Sequence, residues 1–389
     1  MSPVEVPLLV VGGGIGGLAT ALSAARRGLP AHVLEQAPVF GEIGAGLQMG
    51  PNASRALDAL GVLDDVLPLA VRPSAGVLRD AVSGRVLTRL DLGGAFRDRY
   101  GYPYLVMHRG DLLDVLLEHC RAHDLVTLEA GRAVVSSDVR ADGAEVRCAD
   151  GTAYRARTLV AADGLRSGLR GHLSDDEPVC SGYAAYRGTA PRAADGPDEV
   201  VLWIGPGLHL VRYPVRAGEL VNQVAVFRSP RFHAGEAEWG GVDELEAAFA
   251  GTCEPVRDAV ARVGRDRHWA MHDREPLDTW VKGRLALIGD AAHPMLQYLG
   301  QGACQALEDA VELGARLHED SHGALEAFQR ARLPTAVRCQ TSARPWGDLW
   351  HTADPLLIGV RDRMFALRAD DDYTELDWLY AGPEGPAQS

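Results

Sequence analysis

The chain has 389 residues, 47% hydrophobic and 24% charged, with 39 basic and 53 acidic side chains and a net charge of −14. That length fits two or three domains and that balance excludes wholesale disorder, while the negative charge argues against a nucleic-acid-binding face. The first arginine is Arg26 and no run of about 18 apolar residues exists, which argues against a secretory signal and a membrane-spanning helix.

In chain order, Leu8 to Val11 is an apolar run typical of a parallel strand covered on both faces. A turn over Gly12 to Gly17 follows, then an alanine-rich helix from Leu18 to Arg27 that Gly28 stops. Ala31 to Leu34 is a second strand ending at Glu35, which completes a βαβ unit. Residues 77–91 read as a hairpin turning at Ser83-Gly84, and Arg109 to Arg121 carries Leu112, Leu113, Leu116 and Leu117 at helical spacing. Turns at Asp142-Gly143 and Asp150-Gly151 separate short strands that end in the apolar run Leu159 to Ala162. From Gly182 to Phe227 the pattern is β-rich. Leu285 to Ile288 is again a buried-type strand, and Ala303 to Leu317 a helix with Leu307, Ala310, Val311 and Gly314 on one face. The tail Ala381 to Ser389, rich in Gly and Pro, is expected to fray. Cys120, Cys148, Cys180, Cys253, Cys304 and Cys339 include no close pair, so reduced cytoplasmic thiols are expected instead of a zinc site or disulfide scaffold.

These elements predict an α/β fold. A Rossmann-like, discontinuous dinucleotide domain takes 1–72, 99–175 and 266–345. An inserted β-sheet-rich domain takes 73–98 and 176–265, and 346–389 forms a C-terminal helical segment and tail.

Gly12, Gly14 and Gly17 fill G-x-G-x-x-G between a strand and a helix. The first permits the tight turn, the second lets a pyrophosphate approach the backbone, and the third allows close helix–strand packing. Glu35 stands where an acidic side chain accepts hydrogen bonds from a ribose and disfavours a 2′-phosphate. NAD and FAD both suit this turn. Two later segments favour FAD: Ala161-Ala162-Asp163-Gly164 and Gly289-Asp290-Ala291-Ala292-His293-Pro294 each put an aspartate at the carboxyl end of a buried strand, where polyol hydroxyls can be held.

With these residues in place, the chain resembles the single-component FAD-dependent aromatic hydroxylases, in the branch near 3-hydroxybenzoate 6-hydroxylases and salicylate hydroxylases. The resemblance runs from about Val6 to Tyr380. It rests on GGGIGG, on residues 44–61, on the AADG and GDAAHP segments, and on SGYAAYRG, HLVRYPVRAGELVNQVAVF, LQYLGQGACQALEDA and LDWLY. It implies a para-hydroxybenzoate-hydroxylase-like fold. In that reading Glu35 holds the adenosine ribose, Arg109 meets the pyrophosphate or ribityl region, and Asp163 serves the pyrophosphate. Asp290 holds the ribityl chain, and Gly302 with Ala303 offers backbone N–H groups to the isoalloxazine. The reaction implied is hydroxylation of a phenolic acid through a flavin C4a-hydroperoxide, with O2 and NADH or NADPH as co-substrates. No second G-x-G-x-x-G is present, so the nucleotide would bind transiently between domains.

His209, Val211 and Tyr213 alternate along one strand and share a face, and Pro214 marks that strand as an edge or its end. The resemblance makes His209, Tyr213 and Gln297 the substrate contacts, with a base or proton relay serving the phenol. An ordinary half-buried Tyr, a solvated His and a loop-stabilising Gln are the plainer alternatives. His293 reads as a packing residue, and Arg187 as a carboxylate partner or a salt bridge within the sheet. Val221, where the family often has Tyr, is expected to alter the pocket wall. The competing functions are a tailoring hydroxylase of a larger or heterocyclic aromatic, a NAD-linked dehydrogenase, and a non-catalytic flavin-binding module. Nothing in the sequence fixes the oligomeric state; a homodimer is compatible with it.

Overall fold

The apolar start of the chain builds a strand, Val4–Val11, whose last four residues are buried. In the computed structural model, which describes residues 2–41, 45–193, 196–319, 323–382 and 385, this strand lies inside an eight-stranded sheet. It pairs in parallel with Ala31–Leu34 on one side and Ala153–Ala161 on the other. Leu285–Leu287 adds beyond Ala153–Ala161, and Val126–Glu129 beyond Ala31–Leu34, both also in parallel. The uniformly apolar runs are those a sheet buried on both faces demands. Helix Ile15–Ala25 packs on Gly302–Glu319, and at Gly314 an added Cβ would come within 2.2 Å of the Ser23 hydroxyl. Helix Arg109–Arg121 has the bounds its leucine spacing predicts.

The second sheet has seven strands in the order Trp269–Asp273, Val179–Pro191, Leu220–Arg228, Leu208–Val215, Glu199–Gly205, Ala75–Asp80 and Val86–Asp91. All neighbours are antiparallel except the pair Glu199–Gly205 and Ala75–Asp80. The last two strands are the hairpin expected over 77–91, with Gly84 at φ +74° in its turn. A single cross-strand row, Arg187–Val224–Val211–Leu202–Leu78–Thr88, runs through six strands on the face turned toward the first layer. That row becomes the wall of the site.

The architecture is the expected Rossmann-like layer with a β-rich insert, but several local readings change. Trp269–Asp273 falls inside 266–345, the segment expected in the first layer, yet its ladder to Val179–Pro191 puts it in the second sheet. Helix Ala324–His351 runs unbroken through the 345/346 boundary, because Ala343, Trp346 and Trp350 continue its packing beneath the second sheet. The strand of Pro214 is interior, not an edge, flanked on both sides up to Arg212; from Tyr213 on one neighbour remains, and the strand ends at Val215, one residue past the proline, as the other half of that expectation has it. A residue without an N–H is therefore accommodated there. Gly44 and most of the 381–389 tail lie outside the described residues. Among the described residues no helix is long and apolar enough to cross a membrane.

Candidate active site

One cavity of about 1580 Å³ runs from the glycine turn to the face of the second sheet. At its first end each glycine has a separate reason. Gly12 has φ +113°, and a Cβ there would lie 2.2 Å from the Ala162 carbonyl oxygen. At Gly17 a Cβ would lie 1.9 Å from the Gly12 oxygen, so this residue lets the helix close on the strand. A Cβ on Gly14 would touch nothing, and Gly14 lines the cavity, so its bare backbone is open to a ligand. Glu35 also lines the cavity, and its carboxylate accepts from the backbone N–H of Gly13 and of Ala37, each at 2.8 Å. The acid that the sequence points toward a ribose therefore also pins the turn.

Further along, Asp163 and Asp290 line the cavity from the ends of neighbouring parallel strands. Burial pushes the Asp163 carboxyl above the usual carboxylate range, although the Ser167 hydroxyl and the Leu169 N–H oppose the shift. Its Oδ1 is buried and has no hydrogen-bond partner, so the acceptor is aimed at something the protein does not supply. Gly302 and Ala303 open the helix Gly302–Glu319 at the cavity wall, where the first N–H groups of the helix have no partners within it. Arg109 lines the cavity from the start of its own helix. A bare backbone at Gly14, a carboxylate with one free buried oxygen and a helix N-terminus are what a dinucleotide with a polyol chain and a polar ring edge requires. The site fits FAD.

At the second end, the strand Leu208–Val215 presents His209, Val211 and Tyr213 to the cavity on one face, as their alternation predicts. His209 is 1% and Tyr213 4% exposed, so neither is the solvated surface residue of the plainer reading. Burial drives the His209 imidazole well below its ordinary value, and the neighbouring His351 adds to this, so the ring is neutral. Burial raises the Tyr213 hydroxyl far above its ordinary value, despite the opposing charge of Arg187, so it stays protonated and can donate. Gln297 lies between the two polar ends of the wall. Its Oε1 accepts from Arg187 Nη2 at 3.3 Å, and its Nε2 stands 3.5 Å from His209 Nε2. Arg187 lies over the Trp269 ring at 5.5 Å, its Nε has no hydrogen-bond partner, and no carboxylate pairs with it among the described residues, which removes the salt bridge within the sheet. Burial, and the nearby Arg109 charge, lower its affinity for its proton below that of an ordinary guanidinium.

Val221 does not line the cavity. Successive side chains of a strand alternate, and Val221 is three residues from Val224, which does, so it faces the other way. His293 is more than a packing residue. Fully buried, it meets Asp309 Oδ2 at 2.6 Å, while Arg332 Nε donates to Asp309 Oδ1 at 2.9 Å and the Gly289 N–H donates to Oδ2 at 3.0 Å. Burial raises the Asp309 carboxyl, but the His293 and Arg332 charges and these hydrogen bonds outweigh it and hold it below its ordinary value. The cluster braces the turn that carries Asp290. Arg170, 1% exposed, ties the two aspartate turns together by donating to the Ala291 and Ala292 carbonyls at 3.1 and 2.8 Å. Asp309 carries one sequence signal, a charged residue between the apolar positions of its helix; His351, which meets His209 Nδ1 at 2.8 Å, carries none.

A family model described as an FAD binding domain matches residues 5–339. The chain is 37% identical over 387 residues to the 3-hydroxybenzoate 6-hydroxylase of Polaromonas naphthalenivorans (strain CJ2), covering 97% of this chain and 96% of the relative. It is 33% identical to the salicylate hydroxylase of Pseudomonas putida, covering 95% of this chain and 91% of the relative. Among solved structures, Klebsiella pneumoniae HpxO complexed with FAD and uric acid matches with a TM-score of 0.85 at 28% identity, over 98% of each chain.

Proposed function

The chain belongs to the FAD-binding family and is a flavin-dependent aromatic monooxygenase, and on that footing we propose that it adds one hydroxyl group to a 3-hydroxybenzoate-like phenolic acid, para to the existing one. Glu35, Asp163, Asp290, Arg109, the glycine turn and the Gly302–Ala303 backbone hold FAD in this reading. Bound FAD, reduced by NADH or NADPH, supplies activated oxygen from O2. The protein's part is to exclude water, orient the ring and raise its electron density.

The observation that carries the substrate class is Arg187. A half-buried guanidinium whose Nε has no partner, with no carboxylate pairing it among the described residues, facing an apolar wall beside Gln297, is a receptor for a carboxylate brought in by the ligand. At the other side of Gln297, neutral His209 has a lone pair for the phenolic proton, and loss of that proton enriches the ring in electrons. Tyr213 donates a hydrogen bond and orients the ring. The six free cysteines fit a reducing cytoplasm, and the protein acts there on small aromatic substrates with NAD(P)H and O2, as a monomer or a homodimer.

The test is NAD(P)H oxidation by the holoenzyme over a panel of 3-hydroxybenzoate, salicylate, 3-amino-4-hydroxybenzoate, phenols without a carboxylate and uric acid, with products identified by NMR. A charge-assisted hydrogen bond is worth about 1.5–3 kcal/mol, so Arg187→Met should raise KM for the carboxylated substrate about 10- to 150-fold. The same variant should leave a phenol without a carboxylate almost unaffected. Coupled hydroxylation of uric acid in preference to every benzoate would overturn the substrate class.

A further inference from the structure

Once His209 has taken the phenolic proton, a neutral imidazole at rest requires that a proton leave the site. His209 is 1% exposed and has no direct route to solvent. Its cavity-facing nitrogen, Nε2, is near Gln297, and its other nitrogen, Nδ1, is 2.8 Å from Nε2 of His351. The ring planes are 14° from parallel and the centroids 5.0 Å apart, so the two nitrogens face each other nearly within one plane, as an N–H···N bond requires. His351 is the last residue of the long helix Ala324–His351 and is 7% exposed. Its position is fixed on several sides. The Gly207 N–H donates to its carbonyl at 2.9 Å, the Tyr183 ring stacks on its face at 4.7 Å, and the Tyr298 ring meets it edge-on at 5.4 Å.

His351 does not line the substrate cavity. It lines a second one, of about 960 Å³, whose charged walls are Arg228, Glu244 and Asp348. The imidazole pair therefore spans the wall between two cavities: one ring belongs to each, and a single hydrogen bond joins them.

We propose that His209 and His351 form a proton relay that carries the phenolic proton from the substrate cavity to solvent in the second cavity. This rests on the reading of His209 as the phenol's base. Before transfer, His209 holds its proton on Nδ1 and donates it to Nε2 of His351, which holds its own proton on Nδ1. The phenol O–H bond breaks as an N–H bond forms at Nε2 of His209. The Nδ1 proton of His209 moves to Nε2 of His351, and the Nδ1 proton of His351 leaves to water or a buffer base. The phenol becomes a phenolate, solvent gains one proton, and both imidazoles end neutral with their tautomers reversed. Burial holds the His351 imidazole down at about 3 and His209 well below its ordinary value, so neither ring keeps a charge, and a concerted shift asks neither to. His351 touches no substrate, and it acts through His209.

The experiment mixes FAD-loaded enzyme with 3-hydroxybenzoate in weakly buffered solution containing a pH-indicator dye, in a stopped-flow instrument. Wild type should release a proton as the phenol ionises on the enzyme. His351→Gln keeps a polar partner for His209 but cannot pass a proton on. It should bind 3-hydroxybenzoate with wild-type Kd and release its proton about tenfold or more slowly, in line with the usual weight of a positioned proton-transfer group. Added imidazole, which can enter the second cavity as a small base, should restore the rate. Unchanged release in His351→Gln overturns the relay, and so does slowed release that imidazole does not restore. A failure of the base reading looks different: His209→Ala then releases protons at the wild-type rate, or wild type releases none, and the relay falls with it. Slowed release in His209→Ala together with an unaffected His351→Gln overturns the relay alone.

Discussion

At the glycine-turn end of the central cavity the working surface is backbone. Gly14 presents a bare main chain, Gly12 and Gly17 exist to let segments approach within contact distance, and the helix opening at Gly302 presents its N-terminus. At the far end the working surface is side chain. His209, Tyr213, Arg187 and Gln297 are brought together by two strands of the second sheet and the turn after Leu296, and among the described residues no acid pairs with Arg187. The first end is specified by volume, so it is sensitive to any added atom. The second is specified by hydrogen-bonding capacity, so it is sensitive to a lost proton or lone pair even when the shape survives. A cofactor whose diphosphate is always the same can be encoded sterically, whereas choosing among aromatic acids takes polar groups that only the right ligand satisfies.

The largest expected effects separate the two steric roles within the turn. Gly17→Val places a Cβ 1.9 Å from the Gly12 oxygen, so the βαβ unit cannot close as it does, and overpacking of this kind costs about 1–3 kcal/mol or more. Lower Tm and loss of flavin should come together. A Cβ on Gly14 meets nothing within 4 Å, and Gly14 sits at φ −77°, which valine tolerates, so Gly14→Val should melt close to wild type and yet purify colourless. Thermal melts and flavin absorbance measured on the same samples check the pair. A Gly14→Val protein that keeps stoichiometric yellow cofactor would show that the pyrophosphate does not pass there.

The same contrast explains what could be read from the sequence. The glycine turn, the helix Arg109–Arg121 and the hairpin at Ser83-Gly84 are local objects: their sterics and periodicity act within a few residues, so spacing alone defines them. The alternation of His209 and Tyr213 is local as well, and it holds. What lay out of reach depends on packing between distant segments. His351 is 142 residues from His209, and Gln297 is 110 from Arg187. Neither pair has a local signature, because sheet register and the course of a long helix create them. Val221 shows how a family pattern misleads without a register: this strand gives Val224 to the wall, and one residue of offset sends a strand side chain to the other face.

The substrate end offers the next largest effect, through chemistry and not through the fold. His209→Ala removes the acceptor for the phenolic proton and Tyr213→Phe removes a buried donor, while both leave the glycine turn and the aspartate turns untouched. Each variant should keep FAD and still oxidise NAD(P)H. Because a positioned base contributes about 10²- to 10⁴-fold, oxygen transfer should slow by that order in His209→Ala, and by less in Tyr213→Phe, which loses orientation and not a base. Reducing equivalents then leave as H2O2. Coupling, measured as hydroxylated product per NAD(P)H beside peroxide release, is the readout. Wild-type coupling in both variants would return His209 and Tyr213 to a packing role.

Asp290 gives the smallest effect and tests where the steric end gives way to the polar one. It lines the cavity at the end of the strand Leu285–Leu287, and it is exposed, unlike the half-buried Asp163. Its turn is held independently of its own side chain, by the Gly289 N–H on Asp309 and by Arg170 on the Ala291 and Ala292 carbonyls. Asp290→Ala should therefore leave the turn in place and remove only an acceptor for polyol hydroxyls. Hydrogen bonds to a charged acceptor contribute about 1.5–3 kcal/mol, which corresponds to a FAD Kd weakened about 10- to 150-fold. Exposure to solvent favours the lower part of that range, because water competes for the carboxylate whenever the cofactor leaves. Titration of apoprotein with FAD, followed by flavin fluorescence, measures the change, and Asp290→Asn should recover part of it, since an amide oxygen still accepts. An unchanged Kd in Asp290→Ala would mean that the cofactor end is held by backbone alone along its whole length. The contrast between the two ends of the cavity would then be sharper than the residues lining it suggest.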